Sequence, residues 1–275
     1  MEEVKFRIGQ GEAFGDALVR IARARVDDAI ARVESPGTDR GEDLHDVRTT
    51  CKRLRAIWRL ARPHIVGDLY RIENARLAET ARRLSGARDA RIAAETLRGL
   101  EVGGLEAVLA RFEASQPTAS EVEAMLASTV GDLRQTGEAI AHVAFPAGDW
   151  DCLRPGLRKT YRQARDLALE LEDGDEDGRF HECRKQVKYL WYQLRLLEDR
   201  APIADREAGL RDLQKDLGDD HDLVVTRGML LEGHENVRAM LVERSEALRK
   251  RIRRAVEPVF DRPPKAFVAH LESGA

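Results

Sequence analysis

One stretch of this chain is written twice, and an internal repeat constrains a fold more than any other feature of a sequence. The first copy runs His45-Asp46-Val47-Arg48-Thr49-Thr50-Cys51-Lys52-Arg53-Leu54-Arg55-Ala56-Ile57-Trp58-Arg59. The second runs His181-Glu182-Cys183-Arg184-Lys185-Gln186-Val187-Lys188-Tyr189-Leu190-Trp191-Tyr192-Gln193-Leu194-Arg195. In register, His45 meets His181, Arg48 meets Arg184, Lys52 meets Lys188, Leu54 meets Leu190 and Arg59 meets Arg195. On a helix turning about 100° per residue, alternating steps of three and four return to the same side. His45, Arg48, Lys52, Arg55 and Arg59 therefore form a basic stripe, beside an apolar stripe of Leu44, Val47, Cys51, Leu54 and Trp58. The second copy sets His181, Arg184, Lys188 and Arg195, flanked by Lys185 and Tyr192, beside Cys183, Val187, Leu190 and Leu194.

A charged stripe is commonly just a solvated face. Such faces mix acidic and basic residues at helical spacing, however, and lie opposite the apolar side. Here the stripe has almost one sign, borders the apolar side and recurs in the same register. Cations stacked along a helix repel one another, so an anionic partner is the economical explanation.

The remaining pattern is helical. A short extended lead-in over residues 3–8 is expected from the alternation of Val4, Phe6 and Ile8 with charged residues. Helices are then expected over about 13–33, from the turn cluster 34–42 to Arg62, and over about 66–84. Ser85-Gly86-Ala87-Arg88-Asp89 reads as a break, with Asp89 capping a helix to about Gly99. A short helix at 104–114 and a long one at 119–143 precede the boundary at 145–150. The second half replays the first, with helices at 153–172, 179–199 and 204–217, a break at Gly218-Asp219-Asp220-His221-Asp222, and closing helices at 223–232 and 234–257. The acidic turn 172–178 reads as a solvated loop, and Arg249, Lys250, Arg251, Arg253 and Arg254 as a basic patch.

At 275 residues the chain can bury one large core or two modest ones. With 35% charged and only 5% aromatic residues the composition favours an all-α fold. The net charge of −3 excludes a generally basic nucleic-acid coat, so positive charge has to be concentrated locally. Cys51, Cys152 and Cys183 are odd in number and form no CxxC pair, and Cys51 and Cys183 fall on apolar faces, which predicts buried free thiols. The acidic start is no signal peptide and no apolar run approaches a membrane span, so a cytoplasmic setting is expected.

The doubled His-x-x-Arg-x-x-x-Lys pattern, followed in each half by a glycine-led break ending in Arg88-Asp89 or His221-Asp222, resembles the CHAD family, the conserved histidine α-helical domain. The resemblance covers roughly residues 12–272, with 1–11 as a lead-in. It implies two pseudo-symmetric helical-bundle lobes, about 12–144 and 151–272, around a basic central groove that binds inorganic polyphosphate. Carried over by position, the groove would hold His45, Arg48, Lys52, Arg53, Arg55 and Arg59 from one copy. The other would supply His181, Arg184, Lys185, Lys188, Tyr192 and Arg195. The equivalent pairs Arg20/Lys159, Arg23/Arg162 and Arg82/Lys215 are expected on its walls. The sequence departs from the family pattern at Trp191, where the first copy has Arg55, and at Thr49, so the two lobes are expected to hold phosphates unequally. No segment resembles the triphosphate tunnel domain that often precedes such modules. Two roles stay open for the histidines, a bond to a loop group near each helix start or direct contact with phosphate.

Two other classes compete. A metal-dependent phosphohydrolase would use dyads such as His45-Asp46 and His221-Asp222, but in the repeat Asp46 becomes Glu182 and His221 becomes Arg88. His64, His142, His234 and His270 show no partner spacing, and no phosphate loop or nucleophile–base pair is present. Nucleic-acid binding is disfavoured by the negative net charge and scarce aromatics. The expectation is therefore a non-catalytic polyphosphate binder without metal or cofactor, associated with polyphosphate and with polyphosphate-associated proteins or granules, and with neither membrane nor nucleic acid as partner.

Overall fold

The computed structural model describes residues 6–35, 39–100, 102–201 and 203–273. Helices build it, and no strand occurs among the described residues. They are α1 Phe14–Glu34, α2 Arg40–Ala61, α3 Leu69–Arg83, α4 Ser85–Arg98, α5 Glu106–Ala114 and α6 Ala119–Ala127. α7 Val130–Ile140, α8 Asp149–Leu169, α9 Asp177–Leu196, α10 Ala204–Met229, α11 Glu235–Val259 and α12 Pro264–Ser273 follow.

The two stripe helices, α2 and α9, occupy the middle and pack on each other. α2 also meets α1, α3, α6 and α8, and α9 meets α8 and α10. Asp39 starts α2 by accepting bonds from the Gly41 and Glu42 amides at 2.8 and 3.2 Å. Farther along, Leu54, Ala56, Ile57, Trp58, Leu60 and Ala61 are all buried. Burying each of the large apolar side chains contributes roughly 1.5–3 kcal/mol. The seam is fixed by Gln193 of α9, fully buried, whose amide donates to the Ala56 carbonyl on α2 and the Thr160 hydroxyl on α8, each at 3.1 Å. One main core draws on both halves of the chain, and a smaller one joins α4, α5, α10 and α11 around Leu97, Phe112, Leu223 and Leu241.

The lead-in falls partly on residues 3–5, outside the described residues. Phe6 and Ile8 are buried, and the Ile8 amide donates to the Leu196 carbonyl at 2.8 Å. Residues 36–38 of the expected turn likewise lie outside the described residues. Three expectations are corrected. Asp89 lies inside α4, so it does not cap that helix. α10 runs unbroken through Gly218 and His221, because the polar side chains there are engaged by tertiary partners. Asp220 is held by Arg249 and Ser245, and His221 faces His181. An interior glycine costs a helix only about 1 kcal/mol, which such contacts outweigh. The expected helix 119–143 is two, α6 and α7. At the joint, the Ser128 and Thr129 hydroxyls donate to the Met125 and Leu126 carbonyls and compete with the helical ladder. α12, whose Phe267 and Leu271 are buried, was not anticipated. The acidic turn and the basic patch also neutralise each other, through Arg253 with Asp173 and Arg249 with Asp177, and Arg227 of α10 meets Asp177 as well.

α8 crosses the end of α2 at Gly156, where a Cβ would stand 2.3 Å from the Leu60 carbonyl oxygen and 2.7 Å from its Cα. Backbone cannot yield as a side chain can. Gly156→Ala should therefore cost about 2–3 kcal/mol in chemical denaturation, whereas Gly131→Ala, with open space around it, should be neutral or mildly stabilising. Equal effects at the two sites would contradict this close helix crossing.

Candidate functional site

A cleft of about 260 Å³ opens where α2, α3, α4, α9 and α10 converge. The helical spacing of the stripe puts Arg48, Lys52 and Arg55 of α2 on its wall, and the second copy supplies Arg184, Lys185 and Lys188 of α9. Arg82 closes it from α3 and Arg88 from α4, making eight lysine and arginine side chains against one lining carboxylate, Asp89. His181, His221 and Tyr189 also line it.

Three of these cations have acidic partners. Arg82 pairs with Glu79, Lys185 with Glu182, and Arg88 with Asp222 at 3.2 Å. Arg48, Lys52, Arg55, Arg184 and Lys188 have no carboxylate within ion-pair distance among the described residues. Arg48 is held by neutral groups, donating to the Ala81 carbonyl at 3.2 Å and the Ser85 hydroxyl at 2.6 Å. Arg55 donates to the Asn74 side chain at 3.1 Å and lies 5.3 Å from the Tyr189 ring centre. The buried Nε atoms of Arg48 and Arg184 have no hydrogen-bond acceptor among the described residues.

Burial and mutual repulsion both act against the charges. At an effective dielectric of about 20, two like charges about 8 Å apart repel by about 2 kcal/mol. Arginine stays charged under such pressure, and lysine yields. Burial first, then Lys188, Arg48, Arg184 and Arg88, push Lys52 down to about 6. Lys188 is pulled down to about 8, by burial and then by Arg184 and Arg88. His221 falls to about 3, mainly through burial and then Arg184. Its Nδ1 stands 3.3 Å from Nδ1 of His181, whose pKa is also lowered by burial, so the pair is neutral and one ring donates to the other. Asp89 is raised, with burial outweighing Arg48 and Arg88.

Not every residue expected from the sequence converges here. Arg48, Lys52, Arg55, Arg82, His181, Arg184, Lys185 and Lys188 do. His45 lies in a neighbouring pocket with Arg91 and Gln116, sharing only the Arg88 wall, because the N-terminal part of α2 lies against the α5–α6 connection. Tyr192 is buried beneath the cleft, edge-on to Phe6. Arg53 stacks over Phe6 and Arg195 over Trp191, both outside the lining. Arg20 is engaged by Glu12 at 2.6 Å, and Arg23 is exposed on α1. Lys215 is exposed and leans on Asp219 at 3.9 Å. Arg59 stacks on Tyr189 at 4.1 Å from the ring centre, just past the lining. Beyond it, Lys159 is held below the usual lysine value by burial and by Arg62, Arg162 and Arg59, so these four form a cationic continuation.

Arg88, Asp89, Tyr189 and His221 were missed as site residues. The recurring Arg88-Asp89 and His221-Asp222 pairs are the signal that reaches three of them, once they are placed inside α4 and α10 and not at helix starts.

Comparison with protein-family models matches the CHAD domain over residues 20–231. A search of curated proteins finds no match. Among solved structures, the crystal structure of the CHAD domain from the plant Ricinus communis superposes with a TM-score of 0.66 at 18% identity, over 98% of this chain and 95% of that one. PptA from Streptomyces chartreusis gives 0.64 at 15% identity, over 91% of this chain and all of the other. At these identities the likeness is one of fold.

The crowded cleft makes stability depend on pH in an unusual direction. Lys52 keeps its proton to about 10.5 when unfolded but releases it near 6 when folded, so unfolding takes up a proton between these values and stability rises with pH. Lys188 adds to the rise above about 8, and His221 between about 3 and 6.5. The thiols of Cys51, Cys152 and Cys183, pushed up to about 12, oppose it above their ordinary 9.0. Urea denaturation should therefore show stability increasing from pH 6 to 9. Lys52→Met should raise stability at pH 6 and flatten the curve, and a wild-type curve that falls across this window would refute the burial of an uncompensated lysine.

Proposed function

The chain belongs to the CHAD domain family, which is associated with polyphosphate binding, and from that premise we propose that it binds inorganic polyphosphate in the cleft between α2 and α9 without catalysing its conversion. The observation that carries this reading is the excess of cations without carboxylate partners. Arg48, Lys52, Arg55, Arg184 and Lys188 line one small cleft, and a chain of singly charged phosphate units relieves their repulsion. Arginine offers planar forks to phosphate oxygens and lysine a compact charge, so contacts repeat along the polymer at little cost in specificity. Arg59, Arg62, Lys159 and Arg162 carry the polyanion onward, past Tyr189. In this reading the protein has a lead-in, 1–11, and a domain, 12–272, whose halves each supply one cationic helix, and it acts in the cytoplasm, with polyphosphate or its granules as partner. No helix among the described residues is long and apolar enough to cross a membrane.

The hydrolase alternative gains no support from the geometry. His221 lines the cleft against His181, while His45 lies in the adjoining pocket beyond Arg88, so the two His-Asp pairs do not converge on one point.

Calorimetric titration with long-chain polyphosphate, orthophosphate and single-stranded DNA, each at two salt concentrations, tests the proposal. Polyphosphate should bind tightest and lose affinity steeply with salt, by analogy with counterion release from nucleic acids. The double variant Arg184→Gln with Lys188→Gln should weaken binding at least tenfold while keeping or raising the melting temperature, and Arg20→Gln should change nothing. At pH 8 binding should also take up protons, because a bound polyanion restores charge to Lys52 and Lys188. Equal affinity for DNA, or an unaffected double variant, would remove the cleft as a polyphosphate site.

A further inference from the structure

Lys52 differs chemically from every other cleft cation. It projects from the middle of α2 into the cleft, half-buried, and no described residue pairs with its ammonium. The charged and titratable groups around it are His45, Arg48 and Arg55 on its own helix, Arg82 on α3, Arg88 and Asp89 on α4, His181, Arg184, Lys185 and Lys188 on α9 and His221 on α10. Asp89 answers Arg48 and Arg88 before Lys52, and His221 is neutral, so the balance around the amine is strongly positive. A lysine desolvated among cations is held as free amine and becomes nucleophilic at neutral pH. Lys188 is less exposed to this pressure, because Asp222 favours its charge and the Tyr192 ring lies 6.0 Å away.

We propose that Lys52 is a nucleophilic amine and that the cleft takes phosphorylated aldehydes, which Lys52 captures as a reversible imine. Arg48, Arg88 and Arg184 hold the phosphate, and the roughly 260 Å³ of space suits a small molecule. The Nζ lone pair attacks the carbonyl carbon, the carbonyl oxygen takes up the proton the amine loses, and the carbinolamine expels water as the C=N bond forms. One water leaves, and nothing is oxidised or reduced. The inference rests on the reading that this cleft accepts phosphate, and it makes imine formation and polyphosphate binding mutually exclusive.

Pyridoxal 5′-phosphate and phosphate-free pyridoxal are the probes, applied to the full chain at pH 7, trapped by borohydride and mapped by peptide mass spectrometry. The chain has eight lysines, and exposed Lys250 and Lys265 serve as internal controls. An ordinary lysine is free amine to only a few parts in about ten thousand at pH 7, so Lys52 should label about a hundredfold faster than the controls. Pyridoxal should lose most of that preference, inorganic triphosphate should block labelling, and Lys52→Arg should abolish it while still binding triphosphate. Labelling of Lys52 no faster than Lys250, or a preference for Lys188, would overturn the inference even if polyphosphate binds. Rapid labelling of Lys52 that triphosphate fails to block would uphold the nucleophile and instead count against the polyphosphate reading.

Discussion

Two helices that must each bury an apolar stripe leave their cations no choice of direction. α2 is pinned on one side by α1 and α8 and sewn to α9 through Gln193, and Gly156 lets α8 press directly on its last turn. With those faces committed, the basic stripes of α2 and α9 turn toward each other and toward α3, α4 and α10. The repulsion gathered there is offset by packing elsewhere, since this rotation of the helices buries Trp58, Leu54 and Leu190. The site is thus a by-product of the core's geometry in which electrostatics opposes folding and hydrophobic burial outweighs it.

The rest of the surface is arranged differently. Arginines outside the cleft are mostly answered by nearby acids, as Arg251 is by Asp216, Arg249 by Asp177 and Asp220, and Arg154 by Asp151 and Glu272. A net charge of −3 therefore conceals a local excess of the opposite sign. Long-range attraction of a polyanion toward such a molecule has to come from the cleft and its cationic continuation, since the net charge of the chain is negative.

The all-helical class was legible because hydrophobic period is a strong local signal, whereas the meeting of α2 and α9 around one cleft was implied by the family resemblance. The stripe residues nearest the middle of each helix, Arg48, Lys52, Arg184 and Lys188, reached the cleft as their spacing implied. Residues toward the ends did not all follow. His45 faces Arg91 and Gln116 and Arg195 stacks on Trp191, so positions equivalent in sequence meet different neighbours. Arg20 and Lys215 were drawn off by acids, Glu12 and Asp219, whose reach no spacing rule reveals. Arg88 and His221 failed in the other direction. Their glycine- and aspartate-rich surroundings read as helix ends, and only tertiary partners such as Arg249 on Asp220 keep α10 continuous. Tyr189 was overlooked because it occupies the register of Arg53, and its importance comes from two guanidinium groups stacked on its ring.

The Gln193 bond to Ala56 spans 137 residues of chain. During synthesis α2 leaves the ribosome long before α8 and α9 exist, so the faces those helices cover are still open. Contacts of such sequence separation form late and set a slow folding rate, because the loop-closure entropy must be met before they return any stability. Until translation reaches Leu196 the cationic stripe of α2 lacks its counterpart on α9, and a chain halted before that point would keep the α9-facing side of α2 uncovered.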